Sequence, residues 1–262
     1  MNPTVKFSRS GQIGRVRISN PAKHNALTTH MWSAFEEGIR AMSRTPGLRC
    51  IIVTGDGTRA FAAGADIAEF AKVRRTVEQV TTYHEEIVQP ALGALIESDL
   101  VSIAAINGDC TGGGLEIAAA CDLRVCAQRA RLGAAVARLG FPLALAETEI
   151  LVRKFGFALA AEILLEGRLL TANEAEQKGL VGRVVPDDQL PTAAEDVARN
   201  VSDLSPMALR LMKRQFRRLI TNPEPVAKAE RAEYYDFALS SDYREGCDAF
   251  LNKRDPQFKE AQ

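Results

Sequence analysis

The sequence predicts an α/β fold that gives way to helix toward the C-terminus, and three observations predict it. Residues 50–54, 101–106 and 123–126 are short apolar runs with the length and β-branched content of buried strands. The first two close on Gly55-Asp56-Gly57 and Asn107-Gly108, which are turn signals, and helical spacing follows. Beyond about Thr148 the apolar spacing is mostly helical. Strand alternating with helix is the pattern of α/β proteins.

The elements read as follows. Residues 5–8 and 13–18 flank Gly11 as an opening hairpin, and Asn20-Pro21 turns the chain. Thr28 or Thr29 caps a helix through about Met42, with Met31, Phe35, Ile39 and Met42 on one stripe. Residues 59–70 read as loop, then a short helix from near Asp66. A long helix spans 77–97, and Gly112-Gly113-Gly114 opens another that runs to Ala120. Residues 132–137 are expected to continue the sheet. Thr171-Ala-Asn-Glu174 is a capping box ahead of a helix over 174–178, and 181–185 is a short strand. Residues 191–203, 205–220, 224–240 and 242–252 read as helices punctuated by proline.

Composition narrows the function. The 262 residues are 46% hydrophobic, enough for one large domain with or without an appendage. The division is drawn at 1–200 and 201–262. Lysine plus arginine and aspartate plus glutamate both number 33, so no overall charge favours nucleic acid or an anionic membrane. No apolar run approaches the ~20 residues of a membrane span. Lys213, Arg214, Arg217 and Arg218 are read as a solvated helix face. Five cysteines without a C-x-x-C pair imply reduced thiols and a cytoplasmic protein. Three scattered histidines give no zinc site.

Two loops carry candidate chemistry. In residues 59–67 small side chains follow a strand and precede a helix start, where amide N–H groups are unpaired and electropositive. Residues 107–116 repeat that grammar with three glycines, forming a nest of N–H groups suited to a phosphate or a developing oxyanion. Glu116 follows in the first helical turn. It reads either as a carboxylate that offsets the helix dipole or as a general acid/base beside that nest. The glycine loop lacks the lysine and Ser/Thr of a phosphate-binding P-loop. No Ser-His-Asp arrangement is legible.

Two amide-presenting loops followed by a glutamate resemble the crotonase (enoyl-CoA hydratase/isomerase) superfamily. Residues 20–27 resemble its first CoA-contacting turn. Residues 52–67 and 104–123 resemble its two oxyanion loops, 167–182 a later motif, and 250–259 its C-terminal tail. The resemblance spans about 5–260. It implies a spiral of ββα units with a helical C-terminal trimerisation region, and a homotrimer or a dimer of trimers. It implies that the N–H groups of Ala65 and Gly113 bind a thioester oxygen and that Glu116 is catalytic. Backbone around Ala22, Lys23, Ala63, Asp66 and Ile67 would contact coenzyme A, which enters as part of an acyl-CoA substrate with no tightly bound cofactor. Lys253 and Lys259 in the tail would help close a CoA site.

One position departs from the family pattern. A second glutamate is expected about twenty residues after Glu116, and Val136 stands there. The nearest downstream acids, Glu147 and Glu149, either substitute for it or start a helix, and the helix start is the favoured reading. The leading expectation is an enoyl-CoA hydratase-like lyase using Glu116. A Δ3,Δ2-enoyl-CoA isomerase, or another reaction needing one carboxylate, is the alternative. An acyl-CoA binder with little catalysis is the third.

Overall fold

The computed structural model describes residues 2–222 and 224–258. Its ten strands are β1 Thr4–Ser10, β2 Ile13–Ser19, β3 Cys50–Gly55, β4 Ala60–Ala62, β5 Val101–Ile106, β6 Asp109–Thr111, β7 Leu123–Ala127, β8 Arg131–Gly133, β9 Leu169–Thr171 and β10 Arg183–Val185. They form a six-stranded sheet ordered β1-β2-β3-β5-β7-β10 and a smaller sheet ordered β4-β6-β8-β9. In the larger sheet only β1 and β2 pair antiparallel, through the expected hairpin around Gly11. The other pairs are parallel.

The helices are α1 Thr29–Ser43, α2 Phe70–Val73, α3 Val77–Thr81, α4 Gln89–Glu97, α5 Gly113–Ala120, α6 Leu145–Phe155, α7 Phe157–Leu165, α8 Ala172–Gln177, α9 Leu190–Ser202, α10 Pro206–Thr221, α11 Lys228–Glu233 and α12 Ser241–Leu251. Each long strand β3, β5 and β7 is followed by a short one, β4, β6 and β8, that steps into the second sheet. This strand–strand–helix step is the spiral unit the resemblance implies. Strands β4 and β6 were read as loop because three residues are too few to show alternation, whereas β8 falls in the stretch expected to continue the sheet but belongs to the smaller one. Residues 132–137 therefore do not extend the larger sheet. Leu132 and Gly133 pair in the smaller sheet, and Val136–Leu139 turn as a 3-10 helix.

Strand β5 is buried at every position, as a parallel strand covered on both faces must be. One face packs on α1, whose Met31, Trp32, Phe35, Ile39 and Met42 are buried on the expected stripe. The other face packs on α9 through Ile52, Val101 and Ile103 against Leu190, Ala194 and Ala198. Thr28 caps α1, and Thr171 with Glu174 completes the capping box of α8.

Three local readings change. The stretch 77–97 is continuous helix, but Thr82–Val88 is π-helical. Pro90 lacks the N–H that would bond back one turn, so the ladder is already broken where the turn widens. The expected helix over 224–240 shortens to α11 and a 3-10 turn at Asp236–Leu239. The basic face of α10 is not simply solvated. Lys213 is buried and its Nζ lies 2.7 Å from both Leu100 O and Asp122 Oδ2. Arg214 pairs with Asp99, Arg217 donates to the C-terminal carbonyls of α4, and Arg218 pairs with Glu230. Among the described residues no helix is long and apolar enough to cross a membrane.

Candidate active site

The two small-residue loops meet because three segments are hydrogen-bonded together. Asn25 accepts from the Asn20 amide and donates to Asp56 O and Ala60 O, which pins the 20–27 turn onto the end of β3. Ala63 N donates to His24 O. Lys23 Nζ pairs with Asp66 Oδ2 at 2.6 Å, and Asp66 in turn caps the 3-10 turn Ile67–Glu69. Ala22, Lys23, Ala63, Asp66 and Ile67 are thus gathered at one edge.

Leu27 bridges Ala65 in parallel register. Leu27 N donates to Gly64 O, and Asp66 N donates to Leu27 O, each at 2.8 Å. The N–H of Ala65, between those two residues, therefore points to the opposite side, toward the cavity that Ala65 lines. Gly113 is the first residue of α5, where a helix leaves its N–H groups without an internal acceptor. Gly64 has φ +93°, and a Cβ there would stand 3.4 Å from the Gly113 nitrogen, so the two loops touch. A Cβ on Gly114 would run into the Ala62 carbonyl. Glycine at 64 and 114 is thus a requirement of backbone shape and of contact.

Below this amide pair lies a cavity of about 340 Å³. Glu116 faces it and is its only lining carboxylate among the described residues. Glu116 is 6% exposed. Burial, then the negative charge of Glu147, pushes its carboxyl up to about 8, with Arg74 pulling the other way. The group is therefore mostly protonated at neutral pH.

Val136 also lines the cavity, so no acid occupies the position of the family's second glutamate. Of the two acids read as a helix start, Glu149 is exposed and pairs with Arg153. Glu147 is different. It is 1% exposed, and its Oε1 meets His84 Nδ1 at 2.9 Å. His84 Nε2 lies 2.9 Å from an Nη of Arg74. Arginine only donates, so Nε2 accepts and the imidazole proton sits on Nδ1, donated to Glu147. The chain Glu147–His84–Arg74 ends at the cavity, which both His84 and Arg74 line.

Arg74 and the role of His84 were missed because their spacing carries no motif, and Glu147 was seen only as one of two downstream acids. One signal existed: the proline at 90 announces a disturbed helix, and the π-helical turn before it holds Tyr83 and His84. Lys253 follows α12 with φ 51°, is exposed, and does not line this cavity. Lys259 lies outside the described residues.

Known proteins match this chain over nearly its full length. The family model for enoyl-CoA hydratase/isomerase matches residues 8–261. A probable enoyl-CoA hydratase, echA8, of Mycobacterium bovis is 32% identical over 260 residues, covering 97% of each chain. The 2,3-dehydroadipyl-CoA hydratase of Escherichia coli is 32% identical, covering 96% of this chain and 97% of its own. The solved structure of an enoyl-CoA hydratase/carnithine racemase from Magnetospirillum magneticum superposes with a TM-score of 0.94 at 38% identity. That match covers 99% of this chain and 96% of that one. The chain belongs to the enoyl-CoA hydratase/isomerase family, the crotonase superfamily.

Proposed function

We propose that the chain hydrates 2-enoyl-CoA thioesters. The N–H groups of Ala65 and Gly113 hold the thioester oxygen, and Glu116 transfers the protons. One observation carries this reading: Glu116, the only carboxyl lining the cavity among the described residues, shares it with the Ala65 and Gly113 loops, and burial favours its protonated form.

One carboxyl suffices for hydration. Water adds to the β-carbon and yields its proton to one oxygen of Glu116. The other oxygen gives its proton to the α-carbon, and the carboxyl ends the cycle protonated. Enolate charge builds on the thioester oxygen meanwhile, where preorganised donors contribute roughly 3–4 kcal/mol each. Coenzyme A enters as part of the substrate. It is contacted by backbone around Ala22, Lys23, Ala63, Asp66 and Ile67, with Lys253 and Lys259 in the tail closing the CoA site. Residues 1–200 form the acyl-CoA core. The helices from Pro206 onward present exposed Tyr235, Leu239, Phe250 and Leu251, which build a homotrimer or a dimer of trimers. The protein acts in the cytoplasm.

The lone lining carboxylate also favours a second reading, Δ3,Δ2-enoyl-CoA isomerisation. There an ionised Glu116 removes a proton from one carbon and returns it to another. The two readings oppose each other in pH. Hydration falls as pH rises through about 8, because it needs protonated Glu116, whereas isomerisation rises toward that pH. Purified protein is to be assayed on 2-enoyl- and 3-enoyl-CoA series of increasing chain length. Hydration abolished by Glu116→Gln supports the first reading. Acyl-CoA binding with no turnover at any length would sink both readings and leave a binding protein.

A further inference from the structure

Arg74 and Arg138 are the two arginines among the described residues that line the cavity, and Arg74 is the one packed among aromatic rings. Its guanidinium carbon lies 4.3 Å from the ring centre of Phe70, 4.7 Å from that of Phe141 and 5.0 Å from that of Tyr83. The one hydrogen bond of its guanidinium among the described residues runs to His84 Nε2. Glu116 and Glu147 act on it only through space, and no carboxylate of the described residues makes an ion pair with it. Three rings and a histidine anchored on buried Glu147 therefore hold the guanidinium in place without using its other N–H groups. Arg74 is half-buried, and even partial burial of a cation is eased when an anion contacts it directly. No carboxylate of the described residues makes that contact here.

We propose that Arg74 receives a carboxylate carried on the acyl group, so that the preferred substrates are CoA thioesters of dicarboxylic acids. The inference rests on the reading of this cavity as the acyl-thioester site. Arg74 shares the cavity with Glu116 and the Ala65 and Gly113 loops, so the anion it meets lies on the acyl side of the thioester. A guanidinium presents a fork of N–H groups that matches a carboxylate with two parallel bonds. The aromatic rings fix that fork and limit the entropy lost on binding.

The test is equilibrium binding of saturated thioesters by calorimetry, which involves no hydration and so fails separately from the catalytic reading. Succinyl-, glutaryl- and adipyl-CoA are compared with butyryl-, pentanoyl- and hexanoyl-CoA. At the best-fitting length the dicarboxylic member is expected to bind about ten to a hundred times tighter than its neutral partner. Arg74→Gln is expected to bring that ratio close to one, and Arg74→Lys to restore part of it. No preference at any length in the unmodified protein would overturn the proposal, whether or not Arg74→Gln folds. Equal weakening of both series by Arg74→Gln would also overturn it, since Arg74 would then be reading the coenzyme phosphates or merely supporting the wall.

Discussion

The two walls of the cavity are built on different principles. The wall formed by residues 63–65 and 112–116 works through backbone. Its amides are exposed because small residues sit at a strand end and a helix start, so everything it needs is local in sequence. The opposite wall works through side chains. Arg74, His84, Val136 and Phe141 come from separate segments, and buried Glu147 stands behind His84. Their joint geometry exists only because a π-helical turn and the start of α6 pack together. The first wall is common to reactions that pass through an enolate. The second, on the proposed reading, selects the acyl group, and its charges set where Glu116 titrates.

Glu116→Gln tests the junction of the walls and has the largest expected effect. Loss of proton transfer lowers kcat/KM by about a hundred- to ten-thousandfold. At pH 7 the same change stabilises the fold, on the order of a few kcal/mol. The sign follows from the titration. The folded-state value is raised to about 8, so between the ordinary carboxyl value and 8 the unfolded chain is ionised while the fold retains the proton. Glutamine carries no such cost. A melting temperature that falls with the substitution counts against Glu116 as a protonated, strained group.

Gly64→Ala breaks the backbone wall alone. At φ +93° an L side chain costs about 1–2 kcal/mol, which thermal unfolding measures. If the Ala65 amide moves with it, kcat/KM drops by about a hundredfold, the scale of one lost oxyanion donor. Unchanged turnover with the expected loss of stability would remove Ala65 from the proposed oxyanion pair.

Glu147→Gln perturbs the side-chain wall through charge. Glu147 raises the Glu116 value, so removing its charge lets the proton leave more easily. The alkaline fall in hydration then shifts to lower pH. Arg74→Gln acts with the opposite sign and moves the fall to higher pH. Parallel shifts in pH–rate profiles of the two variants would refute this electrostatic layout. Thr171→Ala is the smallest change and belongs to neither wall. It removes a capping box, so it costs about 1 kcal/mol of stability and leaves kcat/KM unaltered.

The contrast also explains what was legible in advance. The hairpin at Gly11, the stripe on α1, the buried strands β3, β5 and β7, and the capping box of α8 follow from periodicity and turn chemistry within a dozen residues. The strands β4 and β6 were invisible because each is three residues long and is held by its neighbours rather than by its own pattern, and β8 was legible as strand but not as part of a second sheet. The cations of α10 looked like surface charge. Their partners are Leu100, Asp122, Asp99 and the end of α4, and only packing brings those within reach.

The sequence by itself determined the backbone half of this site: the two small-residue loops, Glu116 behind the second, and valine at 136. Those features need only residue size and position along the chain. Tertiary structure decided that Glu147, not Glu149, is the buried acid, that His84 links it to Arg74, and that Arg74 faces the cavity without a carboxylate of its own. Burial and charge compensation depend on which distant segments meet. No spacing along the chain encodes that meeting.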